Sequence, residues 1–177
     1  MRPRSPTLTL ASILALSAAL LVAAATSAHA APVALSKQFE TDKRLGAGLM
    51  LGVPAGVSAK YMFTSTVAID VGVGGYLLYR DRDGFAAHGD LLWHPFVAVE
   101  GESFLAPLYV GLGMRFLAHD SINHVGVRVP VGLAFVFNES PIDVFVESAF
   151  VYDFSVSEDG ESAFDANGVI GIRYYFL

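Results

Sequence analysis

The stretch that most limits what this chain can fold into is its last, Asp165 to Leu177. From Gly168 to Phe176 the residues alternate: Ile170, Ile172, Tyr174 and Phe176 fall on one face, and Val169, Gly171, Arg173 and Tyr175 on the other. A period of two is that of a β-strand, whose successive Cβ atoms point to opposite sides of a sheet. One face is large and apolar and ends in aromatics, while the other mixes glycine with an arginine. A soluble sheet buries such an apolar face; a transmembrane barrel turns it to lipid and keeps the arginine inside.

The rest of the chain favours the membrane alternative. Of its 177 residues, 54% are hydrophobic and only 16% charged, too apolar for an ordinary soluble domain. Yet beyond residue 25 no run of about 18 uncharged apolar residues occurs, so a bundle of spanning helices is excluded. The absence of cysteine removes disulfides and thiolate metal sites.

Residues 1–30 have the layout of a cleavable signal peptide: Arg2 and Arg4, an apolar core from Leu8 to Ala25, and the small-x-small site Ala28-His29-Ala30. Cleavage there leaves 147 residues and moves the net charge from −6 to −8, since two arginines and no acids are lost. So acidic a chain has no nucleic-acid footprint and no basic patch for anionic lipid. Residues 31–44 are polar and read as a periplasmic lead-in, and 45–177 as the barrel.

Eight alternating runs fill that barrel region. They begin near Leu45, Val57, Val67, Ala87, Leu108, Val125, Val144 and Gly168. At roughly 18 residues per strand and connection, the spacing suits membrane strands of about 9–11 residues. An even number of antiparallel strands closes the wall without a free edge in lipid. The expected fold is therefore all-β, an eight-stranded antiparallel up-and-down transmembrane barrel. Tight turns are expected at Thr64-Ser65 and Asn138–Pro141, with longer outer loops at 79–85, 117–124 and 153–163. The fourth strand is read over only Ala87–His94, followed by an unusually long turn from Pro95 to Ser103. Phe63, Trp93, Phe135, Phe137, Tyr174 and Phe176 are placed in the periplasmic aromatic girdle, and Phe116, Phe150, Tyr152 and Phe164 in the outer one.

Three segments, Arg128-Val-Pro-Val-Gly-Leu-Ala-Phe-Val-Phe137, Asp143-Val-Phe-Val-Glu147 and Gly171-Ile-Arg-Tyr-Tyr-Phe176, resemble the closing strands of small outer-membrane barrels of the outer-membrane protein A type. The motif resemblance covers about the last third of the chain, and the rest is similar only in pattern. It implies an outer-membrane location and assembly by the outer-membrane barrel machinery. Tyr174 and Phe176 then carry the C-terminal assembly signal, with Leu177 following as a departure from the family pattern.

An eight-stranded barrel has room inside for side chains and none for an open aqueous channel. The inward charges are Lys60, Asp70, Asp90, Arg115, Arg128, Glu147 and Arg173, and burial obliges them to pair. Lys60 is expected to face Asp70 across the Thr64-Ser65 turn, and Glu147 to face Arg173 across the last loop.

Signals for chemistry are weak. His119, Asp120, Ser121 and His124 include the components of nucleophilic catalysis, and some small outer-membrane barrels modify lipid A. Adjacent loop residues do not converge into a triad, however, and these are ordinary loop types. His88, Asp90 and His94 share the inward face, but along one strand they spread over about 7 to 14 Å. Ser157 to Glu161 lacks the spacing of a calcium loop. Expected, then, is a monomeric structural or interaction barrel with outer-membrane lipid around it, no cofactor and no catalysis. The alternatives are a lipid-modifying enzyme, a narrow pore, and a soluble barrel with its apolar face inward.

Overall fold

The computed structural model describes residues 44–75, 84–119, 122–155 and 163–176. The expected signal peptide, almost all of the lead-in, Asp120, Ser121, residues 157–161 and Leu177 lie outside them.

The fold is a closed antiparallel barrel whose eight strands follow one another in sequence order. They are β1 (Leu45–Gly52), β2 (Ala55–Met62), β3 (Val67–Gly75), β4 (Gly84–Glu100), β5 (Phe104–His119), β6 (Ile122–Phe137), β7 (Ile142–Ser155) and β8 (Ala163–Tyr175). Consecutive strands pair as hairpins, and β8 returns to β1 with Gly48 opposite Arg173. Crossing the ladders from Gly48 through Ser58, Gly72, His88, Arg115, Gly126 and Asp153 leads to Ala163, ten residues short of Arg173. That offset is the shear of the barrel. With strands about 4.8 Å apart and about 3.3 Å of rise per residue it tilts them by roughly 40°.

Strand alternation fixes the two faces. Leu49, Leu51, Val57, Val71, Leu91, Trp93, Leu112, Met114, Ile170 and Ile172 are exposed on the outer wall. Their neighbours along the strands, Met50, Ser58, Lys60, Asp70, Asp90, Arg115, Arg128 and Arg173, are buried in the lumen. Two bands of rings mark the ends of the wall. At the end with the short turns, Tyr61 packs on Phe63, and Phe104 on Phe135 and Phe137. At the other end Phe85 meets Phe116, and Tyr152 meets Phe154 and Phe164.

Several strand limits differ from those the sequence suggests. β4 runs to Glu100, so the turn to β5 is only Gly101–Ser103, closed by Gly101 N–H donating to the Phe104 carbonyl. Register shifts at Trp93/Phe96 and Val97/Val99 interrupt the alternation there, and each extra residue swaps the faces. Phe85 belongs to β4 rather than to a loop. β7 runs to Ser155, which carries Asp153 into the barrel opposite Ala163. His119 and His124 lie on β5 and β6, flanking the hairpin end.

The lumen is packed. Met50, Met62, Ala68, Leu92, Tyr109, Ala134, Val136, Phe145 and Val169 form an apolar cluster among the charges. Glycines make the room: a Cβ on Gly132 would run into the Tyr109 ring, and one on Gly171 into that of Phe145.

Candidate functional site: the charged column of the lumen

Three arginines occupy three levels of the lumen, each held between two carboxylates. At the turn end, Arg173 of β8 donates from Nε to Asp143 Oδ1 at 3.1 Å and from Nη1 to Asp70 Oδ2. The remaining oxygens are used as well: Ser58 donates to Asp70 Oδ1 at 3.3 Å, and the Tyr175 hydroxyl to Asp143 Oδ2 at 2.8 Å. The guanidinium carbon lies 3.9 Å from the centroid of the Phe145 ring, a cation–π contact that covers its apolar face.

At mid-height, Arg128 of β6 donates from Nε to Asp90 Oδ2 at 2.8 Å and from Nη2 to Glu147 Oε1. The Tyr109 hydroxyl holds the other Glu147 oxygen at 3.0 Å. Nearest the loop end, Arg115 of β5 clasps Asp153 through Nε and Nη2 and reaches Asp165 from Nη1 at 2.8 Å. Asp165 is the most exposed carboxylate of the six, its side chain 41% exposed.

β7 supplies one carboxylate to every level: Asp143, Glu147 and Asp153 lie on its inward face with Phe145, Ala149 and Val151 between them. The alternation that places Glu147 inside places Asp143 and Asp153 there too, when carried four residues back and six forward. Those two residues, with Asp165, are the members of the column that the expected set lacks.

Two expected pairings differ. Lys60 does stand opposite Asp70 in the ladder, but its ammonium bonds His94 Nε2 at 2.8 Å and makes no ion pair among the described residues. Asp70 is taken by Arg173, whose longer side chain crosses the lumen. His94 Nδ1 in turn lies 3.2 Å from the Thr66 carbonyl, so Nδ1 carries the proton and Nε2 accepts from Lys60. Glu147 does not meet Arg173 either. Its ladder partner is Val169, Arg173 stands opposite Asp143, and Glu147 reaches Arg128 instead.

His88, Asp90 and His94 do not converge, since His94 points to Lys60. Glu147 of β7 takes its place: His88, Asp90 and Glu147 bring ligand atoms within 4.8 Å of one another, all three buried. Among buried side-chain atoms, His88 Nδ1, Asp90 Oδ1, His124 Nδ1, Arg128 Nη1, Asn167 Nδ2 and Arg173 Nη2 have no hydrogen-bond partner. Tyr174 and Phe176 project from the end of the closing strand onto the outer wall.

No protein-family model matches the chain, and no curated protein does. Among solved structures it is similar to the N-terminal β-barrel domain of Pseudomonas aeruginosa OprF, with 15% identity and a TM-score of 0.48 over 75% of this chain and 96% of that one.

Proposed function

We propose that the protein is a structural barrel of the outer membrane, monomeric, without catalysis, and closed to ion conduction by its own interior. The observation that carries this is the inversion of the wall. Aliphatic and aromatic side chains stand outward on all eight strands, while every described lysine and arginine of the strands is inside. In water that arrangement would expose a continuous apolar belt and bury costly charge. Against hydrocarbon both faces are satisfied, with rings at the two rims. Three guanidinium–carboxylate levels and an apolar cluster fill a lumen of the eight-strand class, which argues against a pore. Outer-membrane lipid is then its main partner, and the assembly machinery reads Tyr174 and Phe176 on the last strand.

The test has two parts. Cell fractionation should place the protein with outer membranes, and the purified barrel should stay silent in planar bilayers. Recovery in the soluble fraction would refute the membrane assignment, and steady unitary conductance would refute the closed interior.

A further inference from the structure

The column repeats one ratio, two carboxylates to each arginine. Arg115, Arg128 and Arg173 with Lys60 supply four positive charges, against Asp70, Asp90, Asp143, Glu147, Asp153 and Asp165. With every group ionised the described lumen carries two surplus negative charges. Uncompensated charge in a low-dielectric interior is costly. One bound ion of charge +2 removes the surplus.

The mid-height level is built to take it. At the Arg173 level all four carboxylate oxygens already accept hydrogen bonds, and Lys60 is close by. At the Arg115 level no imidazole joins the two carboxylates. At the Arg128 level, Asp90 Oδ1 is free although Asp90 is 1% exposed, and His88 Nδ1 is free although His88 is 8% exposed. The neighbouring strands β3 and β5 carry glycine beside these two groups, which leaves room for their side chains. A Cβ on Gly113 would collide with Asp90 Oδ1, and one on Gly72 with the His88 ring. Arg128 and Tyr109 hold the two carboxylates without exhausting their lone pairs, since each carboxylate oxygen has two. His88 Nε2 lies 4.0 Å from Asp90 Oδ2, the oxygen that accepts from Arg128 Nε.

We propose that His88, Asp90 and Glu147 form a binding site for one divalent transition-metal ion. One imidazole with two carboxylates suits zinc, manganese, iron or cobalt better than magnesium or calcium, which prefer all-oxygen sets. The three ligand atoms lie within 4.8 Å of one another, and binding requires side-chain rotations that bring them to metal bonds of about 2.0–2.2 Å. Arg128 then acts as the outer partner that orients the ligating carboxylates. The ion's route starts at the loop end, where half-exposed Asp165 presents the acidic column to solvent.

The test uses the full chain refolded in detergent micelles, stripped with chelator and titrated with Zn²⁺ by calorimetry, with Co²⁺ as the optical probe. The expected result is one Zn²⁺ per folded barrel, reversed by chelator, raising the thermal midpoint, with Co²⁺ giving visible ligand-field bands. His88→Ala, and His88→Gln which keeps the volume, should bind at least tenfold more weakly while still showing heat-modifiable migration on gels. His124→Ala should bind like wild type. Absence of saturable binding to the folded wild type overturns the proposal. So does equal affinity in a folded His88 variant, or neutralisation by uptake of two protons with no effect of Zn²⁺.

Discussion

Replacing Glu147 by alanine tests the column at the point where its bonds are best defined. The side chain accepts from Arg128 through one oxygen and from the Tyr109 hydroxyl through the other, all three groups being buried. Loss of a hydrogen bond to a charged group costs about 1.5–3 kcal/mol, and a stranded buried hydroxyl about 1–3 kcal/mol. Breaking a buried ion pair as a whole costs about 3–5 kcal/mol. Arg128 keeps Asp90 through Nε, which puts the expected loss at the lower end, about 3 kcal/mol. With a urea slope of about 2 kcal/mol/M, the unfolding midpoint in detergent should fall by about 1.5 M. The single tryptophan, Trp93 on the outer wall, reports the transition by fluorescence. Glu147→Gln is the informative partner variant. It keeps the volume and an acceptor for Arg128, and it takes that level from two carboxylates per guanidinium to one. Its cost should be about 1 kcal/mol, in the range of a neutral hydrogen bond. An unchanged midpoint in Glu147→Ala would refute the view that this contact supports the fold. Equal damage from Gln and Ala would refute the claim that the level carries surplus negative charge.

Val129→Arg, on the outer wall, should cost about 2–4 kcal/mol of insertion free energy in lipid vesicles, whereas Asn123→Arg near the loop end should insert like wild type; equal tolerance would invert the faces. Gly48→Ala drives a Cβ into the β8 backbone at Ile172 and Arg173, whereas at Gly89 the nearest atom is Val71 Cγ1 at 3.9 Å. Overpacking of that kind costs about 1–3 kcal/mol, so Gly48→Ala should weaken the heat-modifiable band and Gly89→Ala should leave it. Replacing residues 156–162 by a short Gly-Ser linker should preserve that band, while extending the replacement back through Asp153 removes a partner of Arg115 and should lower the urea midpoint.

The fold was legible because alternation and strand count are local properties, and closure into a barrel leaves eight such strands without a free edge. Partner choice inside was less so. Symmetry about a turn places Lys60 opposite Asp70 correctly, yet Arg173 reaches Asp70 from the far side of β1 and β2 because the lumen is narrow and arginine is long. The register across the last loop is set by where the two strands begin to pair, so Arg173 falls opposite Asp143 and not Glu147. Asp143 and Asp153 were readable by extending the β7 alternation to its ends. The true length of β4 was hidden by its two register shifts, which break the very periodicity that reveals a strand.

The seam between β1 and β8 imposes an order on folding. Seven of the eight strand pairings join neighbours in sequence and can zip from their hairpin ends. The eighth joins Gly46–Gly52 to Val169–Tyr175, across more than a hundred residues of chain. Closing so large a loop has the greatest entropic cost and so comes last. The whole sheet must therefore be synthesised and paired before the wall is sealed. Until then the edges of β1 and β8 present unpaired backbone, and a competing strand has a place to attach.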